Sequence, residues 1–422
     1  MTSYKENDRS LKRRKNPIND VGADVLLKIF SYLDLLDLAR ASTVNRSWHS
    51  IIERSSLWRD AYYMQRHEFL NHSKDDTLSE TSPKDWVRQL MSEQHKSALV
   101  HGSGQVCCWK GHSTGVNKCR MRMESILTGV GDQTVRIWSS KNFKCLEEYS
   151  SPNRSPLVDV DFDENKIVGL VGGDICIWKR HGNRHLLRGH IQRAYCMCYV
   201  DPEAAVGCGD GTIRIFDMYS SQCSRIFREH SGAVTCLSIA DERFLISGSS
   251  LGSLSVADVV SGQKVASLRQ PTAPTGISCL WVKQGSFEVF SGTTSGHAYC
   301  WDLRTHKQLW EMRVSSNEIY SIHSLAIDLK TLALGGIDGI LRIIDAKSGE
   351  ILSSYVPAAK MTNISGGLVA KCSASKVSSP IDRIPKSIRR PITCVAVGLN
   401  KIVTTHNDKN IMLWTFQRTK VK

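Results

Sequence analysis

No apolar run in this 422-residue chain approaches the ~18 residues a membrane-spanning helix needs, so no membrane association is expected. The opening stretch, MTSYKENDRSLKRRK, is charged and contains no apolar segment, which argues against a secretory signal and for a cytoplasmic and/or nuclear protein. Fourteen cysteines include no C-x-x-C pair and no zinc-ligand spacing. Without secretion they are expected to be reduced thiols, with Cys107, Cys108, Cys196 and Cys198 acting as small core residues of strands. A glycine-rich phosphate loop and a nucleophile elbow are also missing. No catalytic residue, no metal and no cofactor are therefore expected, and the chain reads as a non-enzyme.

Charge is present in excess but unevenly. The net charge is +14, yet residues 1–15 hold six Lys/Arg against two acids, and residues 357–391 hold seven against one. Ten of the fourteen excess charges thus fall in two segments expected to be flexible, which leaves the remaining body mildly basic. That distribution argues against inferring nucleic-acid binding from a pI of about 9.2.

The hydrophobic rhythm changes between residues 60 and 105. Before it, Leu26, Ile29, Phe30 and Leu33 follow helical spacing, and Val44, Trp48, Ile51 and Ile52 form another stripe. Ser55 or Ser56 is placed to cap a segment opening with Leu57-Trp58, so four short helices are expected in residues 17–62. Residues 63–96 read as a helical linker with Ser82 as N-cap and Pro83 at the first helical position.

Beyond the switch, β-rich runs recur: TVRIW ending at Trp138, DICIW at Trp178, TIRIFD with Phe216, SLSVAD with Ala257, HAYCWD with Trp301, ILRIID with Ile344 and NIMLW at Trp414. Their spacings are 40, 38, 41, 44, 43 and 70 residues. Gly111-His112, Gly189-His190 and Glu229-His230 open several units. This array resembles the WD-repeat family over residues 97–417. Sheets of four short strands cannot cover both faces alone, and packing them around an axis does so. The resemblance implies a structural tetrad of His112, Thr128, Asp132 and Trp138, with the histidine missing from the last unit. QVCCW, at 105–109, belongs to no complete unit and is expected to supply the outer strand of the seventh blade, closing the ring. The 70-residue spacing places a basic insert at 357–391, expected as a flexible loop over the top face, with Ser379-Pro380 as a possible modification site.

The helical run resembles the F-box through Asp24, Val25, Leu26, Ile29, Phe30, Tyr32, Leu33, Asp34, Asp37, Leu38, Val44, Arg46, Trp48, Leu57, Trp58 and Arg59. Val21-Gly22 stands where that family carries Leu-Pro, leaving the entry turn less constrained. The fold expected is thus a small all-α F-box module followed by an all-β seven-bladed WD-repeat β-propeller. Residues 1–15 form a basic tail, 16–62 the F-box, 63–96 the linker, 97–417 the propeller and 418–422 a second tail.

F-box/WD-repeat proteins are substrate receptors of SCF-type cullin-RING ubiquitin ligases. The resemblance implies a Skp-type adaptor, and through it a cullin, bound by Val21, Val25, Leu26, Ile29, Phe30, Leu33, Leu38, Val44, Trp48, Leu57 and Trp58. It implies a target protein on the propeller top face, at Asn117, Arg193, Tyr195, Thr294, Glu318, Tyr320 and Asn407, with Arg389 and Arg390 contributed by the insert. Arg193 is the only cation among the strand and turn positions, which argues against a multi-arginine phosphate clamp. Alternatives are a scaffold without a ligase role, or docking on a different cullin ligase through Trp301-Asp302-Leu303-Arg304. RNA binding by the insert is disfavoured because it lacks interleaved aromatics. With about sixteen residues ahead of the F-box, a monomer is expected.

Overall fold

The computed structural model describes residues 21–69 except 34, and 95–417 except 101–102, 130–131, 153–154, 181, 183, 190, 241–242, 271–273, 283–284, 325–329, 360–361, 365–368, 378–383 and 399–400. The two tails, Asp34, the linker helix expected from Ser82, His190, Ser379-Pro380 and Arg383 lie outside the described residues. The chain divides into two compact units, Met1–Glu93 and Gln94–Lys422.

The first unit holds helices Ala23–Phe30, Leu35–Ser42, Arg46–Glu53 and Leu57–Phe69. Asn45 caps the third, its side chain accepting from Trp48 N at 2.8 Å. Leu26, Phe30, Leu38, Ala41, Ile52 and Trp58 form the core, and Phe30 meets the edge of Trp48 at 5.1 Å. So few buried side chains make a marginal core, typical of a module this small.

In the second unit five sheets have four strands each, and a sixth has ten. The ten-stranded sheet contains the set running from Ile319–Ser324 to Ile351–Pro357. It also contains the set Ile392–Val397, Lys401–His406 and Asn410–Gln417, completed by Ser103–Lys110. The innermost strands adjoin one another in a closed order: Lys118–Arg122, Leu157–Phe162, Ala194–Val200, Val234–Ala240, Ile277–Val282, Ile319–Ser324, Ile392–Val397, then back to the first. These seven groups of four are called blades one to seven below. Second strands such as Thr331–Gly336 are buried throughout, because a neighbouring blade covers each face. Outer strands such as Cys145–Ser150 are mostly exposed.

A hydrogen bond or ion pair crosses every junction near the axis. Lys118 and Arg120 reach Asp159 at 3.3 and 3.4 Å, and Met197 N donates to Asp159 at 3.2 Å. Cys196 Sγ donates to Val234 O (3.6 Å), Thr235 Oγ1 to Ile277 O (2.5 Å) and Ser278 Oγ to Ile319 O (2.5 Å). Ser321 Oγ donates to Val395 O (3.3 Å) and Thr393 Oγ1 to Val116 O (2.6 Å), which completes the circle.

The expected tetrad forms in blade one. His112 Nδ1 lies 2.9 Å from Asp132, its Nε2 lies 2.8 Å from Thr128 Oγ1, and Trp138 Nε1 donates to that hydroxyl at 2.8 Å. Burial pushes the Asp132 carboxyl up, but hydrogen bonds from Thr134 and His112 outweigh it and hold the group well below the usual carboxylate range. In blade seven, where the usual histidine is missing, His406 Nε2 sits 3.0 Å from Thr404 Oγ1, which accepts from Trp414 Nε1 at 2.9 Å.

Strand Ser103–Lys110 pairs antiparallel with Asn410–Gln417, Val106 opposite Trp414, as the QVCCW run implied. The reading of 357–391 as a loop over the top face is corrected. Within it, strands Thr362–Ile364 and Val369–Lys376 form, and the latter inserts between Ile351–Pro357 and Ser103–Lys110. The physical reason is edge protection: two outer strands would each expose unpaired backbone groups, and a third strand satisfies both. Cys372 is buried there beside Val106, Tyr355 and Phe416.

Candidate functional site

The eleven adaptor positions separate by burial. Leu26, Phe30, Leu38 and Trp58 are buried in the module's own core, so they cannot face a partner. Val21, Leu33, Trp48 and Leu57 pack against that core and are half-buried. Val25, Ile29 and Val44 are exposed at 55%, 49% and 62%. Val25 and Ile29 are one helical turn apart, and Tyr32, 77% exposed, continues their line. Helix Ala23–Phe30 is thus apolar on two sides, one filling the core and one left bare. Tyr32 enters the sequence reading through the F-box resemblance and not through periodicity, although its i+7 spacing from Val25 marks the same stripe.

On the second unit the inner strands enclose a central cavity of about 310 Å³, lined by residues of all seven blades, among them Lys118, Arg120, Asp159, Asp161, Tyr320 and Thr393. Asp159 is 2% exposed; burial pushes its carboxyl up, but Lys118 and Arg120 overcome this and hold it lowered. His323, beside Trp281 at 4.6 Å, is pushed down to about 3 by burial and by Arg120 and Lys118.

The top-face positions form two groups. Arg193 and Tyr195 are exposed and flank Gly209, where an added Cβ would stand 3.1 Å from Arg193 Cβ and 3.0 Å from Tyr195 Cε2. A side chain there would press on both residues by a few tenths of an ångström. Glu318 and Tyr320, on blade six, are half-buried. Burial raises both, and Glu318 raises the Tyr320 phenol further. Tyr320 lines the cavity whereas Tyr195 does not. Asn117, Thr294 and Asn407 are exposed at separate turns and strand ends.

Arg389 and Arg390 are both engaged by their own unit. Arg389 Nε donates to Ile384 O at 3.0 Å, and Arg390 pairs with the turn aspartate Asp408. Both are half-buried. Arg304 of the Trp301-Asp302-Leu303-Arg304 run folds back on Asp302 at 3.3 Å and lies over Phe287. Leu251 and Ile337, exposed at 58% and 39%, add apolar surface at the turns of blades four and six. Leu251 was detectable as an apolar residue where a turn aspartate is usual.

A helical module with a bare apolar stripe, joined to a ring of blades with a polar–aromatic face, defines a protein-interaction chain. A family model described as F-box-like matches residues 23–64, and one described as WD domain, G-beta repeat matches residues 103–139 and 221–258. An F-box/WD-40 repeat-containing protein of Arabidopsis thaliana is 41% identical over 436 residues, covering 96% of each chain. Cell division control protein 4 of Saccharomyces cerevisiae is 21% identical over 242 residues, which is 54% of this chain and 26% of that one. The crystal structure of the computationally designed Ika8 protein matches with a TM-score of 0.54 at 16% identity, covering 73% of this chain and 98% of that chain, a likeness of fold alone. The chain belongs to the F-box/WD-40 repeat-containing proteins.

Proposed function

We propose that this chain is the non-catalytic target-recognition subunit of an SCF-type ubiquitin ligase. The F-box holds a Skp-type adaptor, which hangs from a cullin, and the propeller holds a target protein so that a recruited conjugating enzyme can act on it. Proximity is then the whole contribution of this chain. The observation carrying the reading is the bare stripe Val25, Ile29 and Tyr32, with Val44 exposed as well, on a module too small to waste apolar surface. On the propeller, Arg193, Tyr195 and Tyr320 supply a polar–aromatic recognition face.

Pull-down of the full chain with a Skp-type adaptor tests the first half. Wild type should bind and Ile29→Glu should not, while melting as wild type does. A wild type that fails to bind sinks the ligase reading. For the second half, Tyr195→Ala with Tyr320→Ala should abolish target capture while leaving adaptor binding intact.

A further inference from the structure

Four consecutive blades carry an arginine at one shared register. Each follows the outer-strand residue that faces the second position of the third strand: Leu187 opposite Ile175, Phe227 opposite Ile213, Leu268 opposite Leu254, Met312 opposite Ala298. The arginines are Arg188, Arg228, Arg269 and Arg313, recurring at intervals of 40, 41 and 44 residues. The repeat period therefore sets one per blade along an arc of the outer rim, across blades two to five.

All four are exposed. Among the described residues none of them makes an ion pair or side-chain hydrogen bond. That sets them apart from Arg120, Arg136, Arg180, Arg243, Arg304 and Arg342, each paired with a carboxylate. Residues 184–188, 222–228, 264–269 and 307–313 together contain eight Lys/Arg and a single acid, Glu311. The arc has ends: the outer strand of blade one carries Glu147 and Glu148, and that of blade six has no charged residue. The same four strands each expose an apolar residue, Leu186, Ile226, Val265 and Leu309, at 36%, 55%, 45% and 53%. Strand alternation puts Ile226 on the face of Arg228.

We propose that this rim is a docking surface for an extended acidic polypeptide segment that carries apolar residues among its carboxylates. Charge complementarity names the partner: an arc of unpaired guanidinium forks matches a run of carboxylates, and the interleaved apolar residues match apolar side chains. A nucleic acid would engage the arginines but not the apolar residues. The strands also offer little for base stacking: Trp310 is half-buried and donates to Ala346 O at 2.9 Å, and the one exposed ring, His185, is engaged with Ser221 Oγ at 3.0 Å. The surface shares no residue with the adaptor stripe or the top-face pair, so it stands whether or not the ligase reading does.

The test is fluorescence anisotropy of the full chain with a labelled Glu-Glu-Leu repeat peptide of about 24 residues, long enough when extended to cross several blades. Wild type should bind, more weakly as salt rises. Charge reversal of Arg188, Arg228, Arg269 and Arg313 to Glu should weaken binding roughly thirtyfold or more. Tyr195→Ala and Ile29→Glu should leave it unchanged. Should the Glu variant misfold, the four-fold Gln variant serves, expected to lose most of the affinity with an unaltered melting curve. No binding by wild type, or equal binding by folded charge variants, overturns the proposal. Tighter binding of duplex DNA than of the peptide, lost in the same variants, overturns the choice of a polypeptide.

Discussion

His406 and Thr404, two residues apart on one strand and so on one face, share a hydrogen bond of 3.0 Å between Nε2 and Oγ1. Thr404 accepts from Trp414 Nε1, and His406 Nδ1 lies 3.1 Å from Pro391 O. The arrangement is consistent when Nδ1–H donates to the carbonyl and neutral Nε2 accepts the threonine hydroxyl. A histidine from within the blade thereby replaces the one that ordinarily comes from the preceding loop.

Replacing His406 with Ala should cost about 1–3 kcal/mol in urea denaturation, because the buried Thr404 hydroxyl and the carbonyl of half-buried Pro391 lose their partner. Its pH dependence has a definite sign. Burial lowers the proton affinity of His406 in the fold below the ordinary histidine value of 6.5, so the unfolded chain binds the proton more readily. Its contribution is fully present above pH ~6.5 and is lost as pH falls below it. His112 and His230 are shifted the same way, His230 to about 4, chiefly by burial. Melting temperature should therefore fall from pH 7 to pH 5, and less steeply in His406→Gln. A steeper fall in that variant would reject the neutral assignment.

Asp159 holds two junctions of the ring at once, meeting Lys118 and Arg120 of blade one and the Met197 amide of blade three. Asp159→Ala would leave both cations without this carboxylate and the amide without its acceptor. The expected loss is about 3–5 kcal/mol, read by chemical denaturation. Asp161→Ala serves as the milder comparison, since its Arg122 partner is exposed and 3.5 Å away. Equal losses would mean that burial of the carboxylate does not set the cost.

Gly104 lies between Ala374 and Phe416, the partners of its strand on either side. An added Cβ would stand 2.5 Å from Ala374 Cβ and 3.0 Å from Phe416 Cε1. Gly104→Val should force the three strands apart at a cost of about 1–3 kcal/mol, measured by urea unfolding. A neutral substitution would mean that strand Val369–Lys376 adds little to the closure.

The same strand shows where sequence pattern stops being informative. VAKCSASK has one strong apolar anchor and several small or charged residues, so it carries little strand signal of its own. It forms because two open edges need a partner, a requirement that exists only once the ring is built. Tetrads in blades one and seven were legible because they depend on residue type at fixed spacing, although His406 was not: it follows Thr404 by two residues inside the blade, whereas the pattern places the histidine in the loop before it, as His112 stands 16 residues before Thr128. The division of Val25 and Ile29 from Leu26 and Phe30 was hidden because a helix apolar on both sides presents two equivalent stripes. The rim arginines recur at the repeat period and were readable in principle, but the family pattern directs attention to inner strands and turns.

Gly22 stands where the F-box pattern carries proline, and its backbone already has a proline-compatible shape, with φ −60° and ψ 150°. Its carbonyl accepts from Val25 N and Leu26 N at 3.1 Å, which starts the first helix. Among the described residues no partner accepts its own N–H, and a side chain there would meet nothing within 4 Å. Proline at this position therefore removes unfolded-chain freedom without disturbing the fold, and it biases Val21 towards the extended conformation. Gly22→Pro should stabilise the helical module by about 0.4–1 kcal/mol, and through it should tighten adaptor binding by no more than about fivefold. Thermal unfolding and titration calorimetry with a Skp-type adaptor measure the two quantities. If stability falls while Gly22→Ala leaves it unchanged, the Gly22 amide is engaged and the entry turn is not of the proline type. If stability rises but affinity does not, the entry turn is already ordered in the free chain, and the Val21-Gly22 departure costs this protein nothing at the adaptor.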